Sequence, residues 1–398
     1  MRKSWEIKKL GEVCEIINGR NQSQVANPNG KYPIYGSGGI MGYADDFLCG
    51  EGSTIIGRKG TINRPLFVET KFWNVDTAFG FSALNSLNKR FLYFFCLGFD
   101  FKSLDKGTTL PSLTKKDLLQ IDIPIPPLPE QQRIVSLLDE AIEAIDQAKA
   151  NTERNLQNAR ELFQSELNRI FTNKGEGWVE KKLSEVALQF GRGKSKHRPR
   201  NDAKLYGGKY PFIQTGDVRN TDRLITSYTQ TYSEIGLAQS KLWPQGTICI
   251  TIAANIAETG ILCFDSCFPD SIIGLVCDPN KADTDFAYYA LQYLKGELQR
   301  LGKGSAQDNI NLGTFENQRF PFPAINEQIK VVSQLNSLSE ETKQLEANYQ
   351  KKLNGLEELK KSILQKAFSG ELTRETTEIQ MEQLDMVAED QAMYNPNQ

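Results

Sequence analysis

The residues of this chain best suited to chemistry are cations and hydrogen-bonding side chains set among glycines. In the N-terminal part they form four loops: Gly19-Arg20-Asn21, Tyr35-Gly36-Ser37-Gly38-Gly39, Gly57-Arg58-Lys59-Gly60-Thr61 and Lys106-Gly107-Thr108-Thr109. Further on, four more follow in matching order: 191–196 with Arg192, Lys194 and Lys196, Gln214-Thr215-Gly216-Asp217-Val218-Arg219, Ala253-Ala254-Asn255, and Lys303-Gly304-Ser305 with Gln307 and Asn309. Glycine lets a backbone approach a phosphate, Lys and Arg neutralise it, and Arg, Asn or Gln can pair bidentately with base edges. Any one of these loops alone reads as a solvated turn. Their recurrence at corresponding places makes Arg20, Asn21, Tyr35, Ser37, Arg58, Lys59, Thr61, Lys106 and Thr108 candidate nucleic-acid contacts in the first half. Arg192, Lys194, Lys196, Gln214, Thr215, Arg219, Asn255, Lys303, Gln307 and Asn309 are the candidates in the second. The run 191–200 stands out, with five Lys or Arg in ten residues.

Catalytic patterns fail one by one. His197 is the only histidine, which argues against histidine-based triads and multi-histidine metal sites. It reads as a solvated member of the basic run. Gly193-Lys194-Ser195 ends like a phosphate loop, but the pattern needs glycine at position 188 and Leu188 stands there. The glycines 36–42 miss the dinucleotide pattern by one residue and run on into Tyr43-Ala44-Asp45-Asp46, so a tight surface loop is expected. No Asp/Asn-Pro-Pro-aromatic run is present, and Pro269-Asp270 has no acid-x-Lys partner within thirty residues. The reading is therefore non-catalytic, with no cofactor or metal of its own.

Composition constrains the class. With 398 residues the chain can hold two or three domains, each with its own core. The balance of 47 Lys plus Arg against 49 Asp plus Glu leaves any phosphate attraction to local patches. Seven scattered cysteines without a C-x-x-C pair read as reduced core thiols of a cytosolic protein. No apolar run approaches ~18 residues, so neither a membrane span nor secretion is expected.

The elements that must position these loops come in two copies. Trp5-Glu6-Ile7-Lys8-Lys9-Leu10-Gly11-Glu12-Val13 recurs as Trp178-Val179-Glu180-Lys181-Lys182-Leu183-Ser184-Glu185-Val186, a shift of 173. Ile123-Pro124-Ile125-Pro126 with Glu130-Gln131 recurs as Phe320-Pro321-Phe322-Pro323 with Glu327-Gln328, a shift of 197. The ends match while the middles differ by 24 residues, as suits one scaffold reading two different things. Such a period is the size of a domain, not of a solenoid repeat. Strand-like runs are expected at 32–35, 53–56 and 79–81, and 247–252 alternates like a half-buried strand. Aromatic helices are expected around 90–97 and 286–299. After the proline bends, Val331, Leu335, Leu338, Thr342, Leu345, Tyr349, Lys352, Leu356, Leu359 and Ile363 form a heptad seam. The first copy places Ile134, Leu138, Ala141, Ile145, Ala148, Thr152, Asn155, Ala159, Leu162 and Glu166 on the weaker equivalent, so an antiparallel pairing of the two helices is expected. Beyond Leu372 six acids face one Arg374, which reads as a disordered or loosely helical tail.

With its Trp-x-x-Lys-Lys-Leu-x-Glu-Val starts, the run Ile-Pro-Ile-Pro-Pro-Leu-Pro-Glu-Gln-Gln-Arg-Ile-Val at 123–135 and Leu-Lys-Lys-Ser-Ile-Leu-Gln-Lys-Ala-Phe-Ser-Gly-Glu-Leu at 359–372, the chain resembles the specificity subunits of type I restriction-modification systems. The resemblance implies an α+β protein with two α/β target-recognition domains related by an internal pseudo-twofold and two long helices forming an antiparallel coiled coil. The corresponding boundaries are 1–125 for the first recognition domain, 126–173 for the first spacer helix, 174–320 for the second domain, 321–372 for the second helix and 373–398 for the tail. It also implies a bipartite double-stranded DNA site, two docked methyltransferase subunits that carry the S-adenosylmethionine chemistry, attached restriction subunits and a cytoplasmic, prokaryotic setting. Two other readings stay open at this point: a stand-alone DNA-modifying enzyme, and a coiled-coil nucleic-acid adaptor.

Overall fold

The computed structural model describes residues 5–197, 199–253, 256–303 and 312–374. The chain divides into two compact units, 1–153 with 350–398 and 154–349, so each unit takes part of both long helices, Leu128–Thr172 and Ile325–Ser369.

Each unit is a mixed α and β body closed by its own ends. In unit 1 the strand Glu6–Lys9 pairs antiparallel with Asp122–Ile125, setting Glu6 opposite Ile125. In unit 2 Val179–Lys181 pairs in the same way with Phe320–Phe322. The two repeated motifs are thus partners in one ladder, which is why both ends of the copy match. The Glu12 carboxylate accepts the Lys9 amide at 3.2 Å, and Glu185 accepts that of Lys182 at 2.8 Å. Leu10 and Val13, like Leu183 and Val186, go fully into the core.

Unit 1 contains a four-stranded sheet in the order Cys14–Asn18, Ala78–Ala83, Ser53–Gly57, Leu66–Val68, and a three-stranded sheet in the order Gly39–Ala44, Tyr32–Gly36, Trp73–Asn74. Unit 2 repeats both orders as Ala187–Arg192, Ile272–Cys277, Ile248–Thr251, Thr259–Leu262 and as Gln230–Tyr232, Tyr206–Phe212, Ser266–Cys267. It then adds one edge strand to each, Leu224–Ile225 and Leu242–Trp243. The strand at 248–251 is not half-buried as its alternation implied: every residue is inside, because Cys249 packs with Trp243 and Phe268 on one face while Ile248 and Ile250 join the main core on the other.

The expected aromatic helices run Lys89–Gly98 and Thr284–Lys303. Their first turns are tied to the long helices by a repeated buried glutamine. Gln131 Oε1 accepts the Asn88 amide at 2.7 Å, while its Nε2 donates to the carbonyls of Pro126 (2.8 Å) and Ser86 (3.0 Å). Gln328 does the same for the Asp283 amide (2.9 Å) and the carbonyls of Pro323 (2.8 Å) and Lys281 (3.2 Å). Both glutamines are 0 % exposed. A buried amide is tolerated here because each of its polar atoms is bonded to backbone that would otherwise be orphaned.

The long helices pair antiparallel within each unit. In unit 1 Asp146 meets Lys360 at 2.9 Å and Lys149 meets Glu357; in unit 2 Arg160 meets Glu346 at 3.1 Å. The first seam departs from the heptad reading beyond Thr152. Leu156, Ala159, Leu167 and Ile170 are buried and Phe163 half-buried, whereas Asn155 is exposed, Leu162 is 46 % exposed and Glu166 is ion-paired with Arg169. Thr152 to Phe163, Leu156 to Leu167 and Ala159 to Ile170 are each eleven residues apart. That spacing, about 3.67 residues per turn, follows a nearly straight helix better than a seven-residue repeat does. In the second helix Lys352 is exposed, as are Leu345 (38 %) and Leu359 (47 %), so those three expected seam positions also face solvent.

Of the cysteines, six are buried and Cys263 is half-buried, with none bridged. Burial pushes the Cys14, Cys49 and Cys277 thiols up to about 12. Among the described residues no helix is long and apolar enough to cross a membrane. The tail lies outside the described residues apart from Thr373 and Arg374; Thr373 is buried and donates to Glu130 at 2.6 Å.

Candidate nucleic-acid interface

In unit 1 the candidate loops converge on one segment, 74–78. Gly19 N–H donates to Ala78 O (3.2 Å) and Arg20 N–H to Asn74 O (2.9 Å); Val75 N–H donates to Tyr35 O (2.9 Å), and Arg58 N–H to Thr77 O (2.8 Å). A Cβ on Gly57 would sit 3.1 Å from that of Ser37, which places the turn at Ser37 against the loop of Arg58, Lys59 and Thr61. Gly60 N–H reaches Pro111 O at 2.9 Å and Leu113 N–H reaches Arg58 O at 2.9 Å, so the loop of Lys106 and Thr108 joins the same cluster. The glycines 36–42 make a hairpin between Tyr32–Gly36 and Gly39–Ala44, with no helix following, as a surface loop should.

Charge is unevenly available within this cluster. Lys106 is paired with Asp117 at 2.7 Å; with the Thr114 hydroxyl it holds that carboxyl below the usual carboxylate range. The Asp105 carboxyl is also held low, by the amides of Ser112 and Gly107. Asn21 is occupied in a local turn, accepting from the Ser23 amide at 2.8 Å. Arg58 lies 5.8 Å from the Phe79 ring centroid and reaches the Asp76 carbonyl at 3.4 Å. Arg20 and Lys59 are exposed, with no side-chain partner among the described residues.

Unit 2 builds the corresponding cluster on 267–272. Gly193 N–H donates to Ile272 O (2.9 Å), Lys194 N–H to Phe268 O (3.2 Å) and Ile213 N–H to Cys267 O (2.8 Å). The Gln239 carbonyl oxygen accepts the amides of Lys196 (2.6 Å) and His197 (3.0 Å). His197 Nε2 lies 2.9 Å from Asp202, whose carboxyl is held down to about 2 by Lys204 and then by His197, so this histidine braces the basic loop. Arg192 Nε donates to the Asp270 carbonyl at 2.6 Å, and Arg200 takes the Asp270 carboxylate at 2.9 Å. Gln214 bonds Gln230 at 2.8 Å; Thr215 opens, and exposed Arg219 closes, the five-residue helix Thr215–Arg219. Lys303 ends the helix Thr284–Lys303, while Asn255, Gln307 and Asn309 lie outside the described residues.

Three cations were missed. Lys241 stacks 4.0 Å from the Trp243 ring centroid, and desolvation followed by repulsion from Lys194 lowers its proton affinity. Lys31 and Lys209 lie over the Tyr32 and Tyr210 rings at 5.5 and 5.2 Å. The signal for that pair was present, since Gly30-Lys31-Tyr32-Pro33 recurs as Gly208-Lys209-Tyr210-Pro211. Among the described residues no cluster of three or more His, Cys, Asp or Glu could hold a metal ion.

One α/β frame built twice, with cation-bearing loops gathered on one segment of each copy and one long helix following each copy in sequence, defines a duplicated recognition scaffold. The family model for the type I restriction modification DNA specificity domain matches residues 2–156 and again 175–355. The chain therefore belongs to that family, whose role is DNA sequence recognition. It is 26 % identical to the type I restriction enzyme MjaVIII specificity subunit of Methanocaldococcus jannaschii, over 92 % of this chain and 93 % of that one. It is 24 % identical to the StySPI specificity subunit of Salmonella potsdam over 68 % and 62 %. Among solved structures, a chain from work on assembly and conformational transition of the type I R-M system has a TM-score of 0.77 at 21 % identity, covering 94 % and 99 % of the two chains. The crystal structure of the HsdS subunit from Thermoanaerobacter tengcongensis has a TM-score of 0.62 at 22 % identity, covering 94 % and 98 %.

Proposed function

We propose that this chain is the non-catalytic sequence-reading subunit of a type I restriction-modification complex, and that each unit reads one half of a split duplex DNA site. The observation that carries this is the pairing of a repeated frame with unlike rims. The closing strands and the glutamine clamps are the same in both units, while the segments 36–51 and 214–245 differ in length and fold. Identical frames suit identical partners, so two methyltransferase subunits dock on the shared parts, with restriction subunits added to that core. Fixed helices then set a fixed unspecified gap, as dimer geometry sets half-site spacing elsewhere. S-adenosylmethionine belongs to the methyltransferase, and this chain supplies no cofactor site.

The test is single-molecule methylation mapping of DNA from a host expressing the presumed methyltransferase, with and without this chain. The expected result is a methylated motif of two specific halves around a constant gap, lost when the chain is absent. Turnover by the purified chain alone, or a motif unchanged in its absence, would overturn the proposal.

A further inference from the structure

The two units share one hydrogen-bond pattern at the start of their loop clusters. The loop shift is 174 at Gly19 and Gly193, and 194 at the segments they bind, so Asn74 corresponds to Phe268 and Ala78 to Ile272. With those shifts the two bonds of Gly19 and Arg20 are the two bonds of Gly193 and Lys194. Both glycines are obligatory: a Cβ would fall 1.8 Å from Val75 O on Gly19 and 2.2 Å from Phe268 O on Gly193. The following residue is a cation in both copies. Its carbonyl is held as well, by Trp73 Nε1 at 3.0 Å for Arg20 and by Ser240 Oγ at 2.9 Å for Lys194. Unlike donors have come to fix the same backbone position, and at both places the side chain is exposed with no hydrogen bond or ion pair among the described residues. Such fixation aims a charge without spending it on the protein.

We infer that Arg20 and Lys194 are one repeated phosphate anchor, gripping the DNA backbone independently of sequence, while the unlike rims 36–51 and 214–245 read bases. The inference rests on the duplex-binding reading above. A phosphate contact carries affinity and its salt dependence but no sequence information.

The experiment is a salt titration of the full chain, assembled with its methyltransferase subunit, on a duplex carrying the mapped site and on one lacking it. Arg20→Ala and Lys194→Ala are each expected to reduce the slope of log affinity against log salt by about 0.9, with the same fold-loss on both duplexes. The methylated motif stays unchanged, and Arg20→Lys and Lys194→Arg restore the slope. An unchanged slope, or a loss confined to the specific duplex with an altered motif, would overturn the anchor. If wild-type protein binds both duplexes equally, split-site recognition fails, while the slope on either duplex still decides the anchor.

Discussion

The two units share a frame and differ along one rim, and the place of the difference says what each part is for. From Gly30-Lys31-Tyr32-Pro33 to the glycines Gly52 and Gly246 the shift between copies grows from 178 to 194, the largest step anywhere in the repeat. In unit 1 that stretch is a hairpin exposing Ile40 and Met41; in unit 2 it holds the helix Thr215–Arg219 and the two added edge strands. Gly52 and Gly246 both take positive φ, +75° and +83°, so the copies rejoin at the same turn. A rim that differs between the copies and a frame that repeats are what the proposed split-site reader needs, since base contacts specify sequence while the scaffold only positions them.

If the frames are equivalent, equal damage must cost both units equally. Phe91 and Phe286 are corresponding, fully buried rings, the first packed edge-on against Phe368 at 5.1 Å, the second against Phe171 and Trp178. Phe91→Ala and Phe286→Ala should each remove about 3–5 kcal/mol. Chemical denaturation of each variant measures this, and a strongly unequal pair would break the equivalence.

The glutamine clamps come next. Gln131→Ala or Gln328→Ala leaves a buried amide and two carbonyls without partners, at a cost of about 1–3 kcal/mol each. Glutamate should not rescue either, because a carboxylate cannot donate to the carbonyls of Pro126 and Ser86, or of Pro323 and Lys281. Thermal melts of alanine and glutamate variants check both statements. Rescue by Glu would mean that the amide donors are dispensable.

What the sequence revealed, and what it hid, follows from the same division. The closing motifs were legible because they pair with one another and with buried backbone, which leaves few alternatives at Leu10, Val13 or Gln131. The lower half of the first seam was misread because a seven-residue repeat was carried past Thr152, where the helix drifts to eleven-residue spacing and exchanges Asn155 for Leu156. Cys249 and Ile250 looked like alternating faces of a half-exposed strand, but two cores meet there and bury both. Convergence of the loops on 74–78 and 267–272 was invisible, since main-chain carbonyls collected them and any residue supplies a carbonyl. Likewise Lys106 and Arg192 looked as available as Arg20, yet Asp117 and the Asp270 carbonyl engage them.

The smallest expected effect tests the rim at its edge. Lys31 and Lys209 occupy the same place, each over the ring of the next residue, but Lys209 also lies 3.3 Å from Glu234, which the shorter rim of unit 1 lacks. Hydrogen bonding to Glu234 raises the proton affinity of Lys209, and both partners are exposed, so the ion pair adds little to stability. A solvent-exposed cation–π contact is worth about 0.5–1 kcal/mol. Lys31→Gln and Lys209→Gln should therefore cost similar, small amounts of stability. Their effect on DNA binding should differ, because Lys31, with no ion pair among the described residues, gives up fewer protein contacts to reach a phosphate. Lys31→Gln should flatten the salt slope more than Lys209→Gln does, measured on the assembled complex. Equal slopes would mean that Glu234 does not hold Lys209 back, and that the longer rim differs from the shorter one in shape alone.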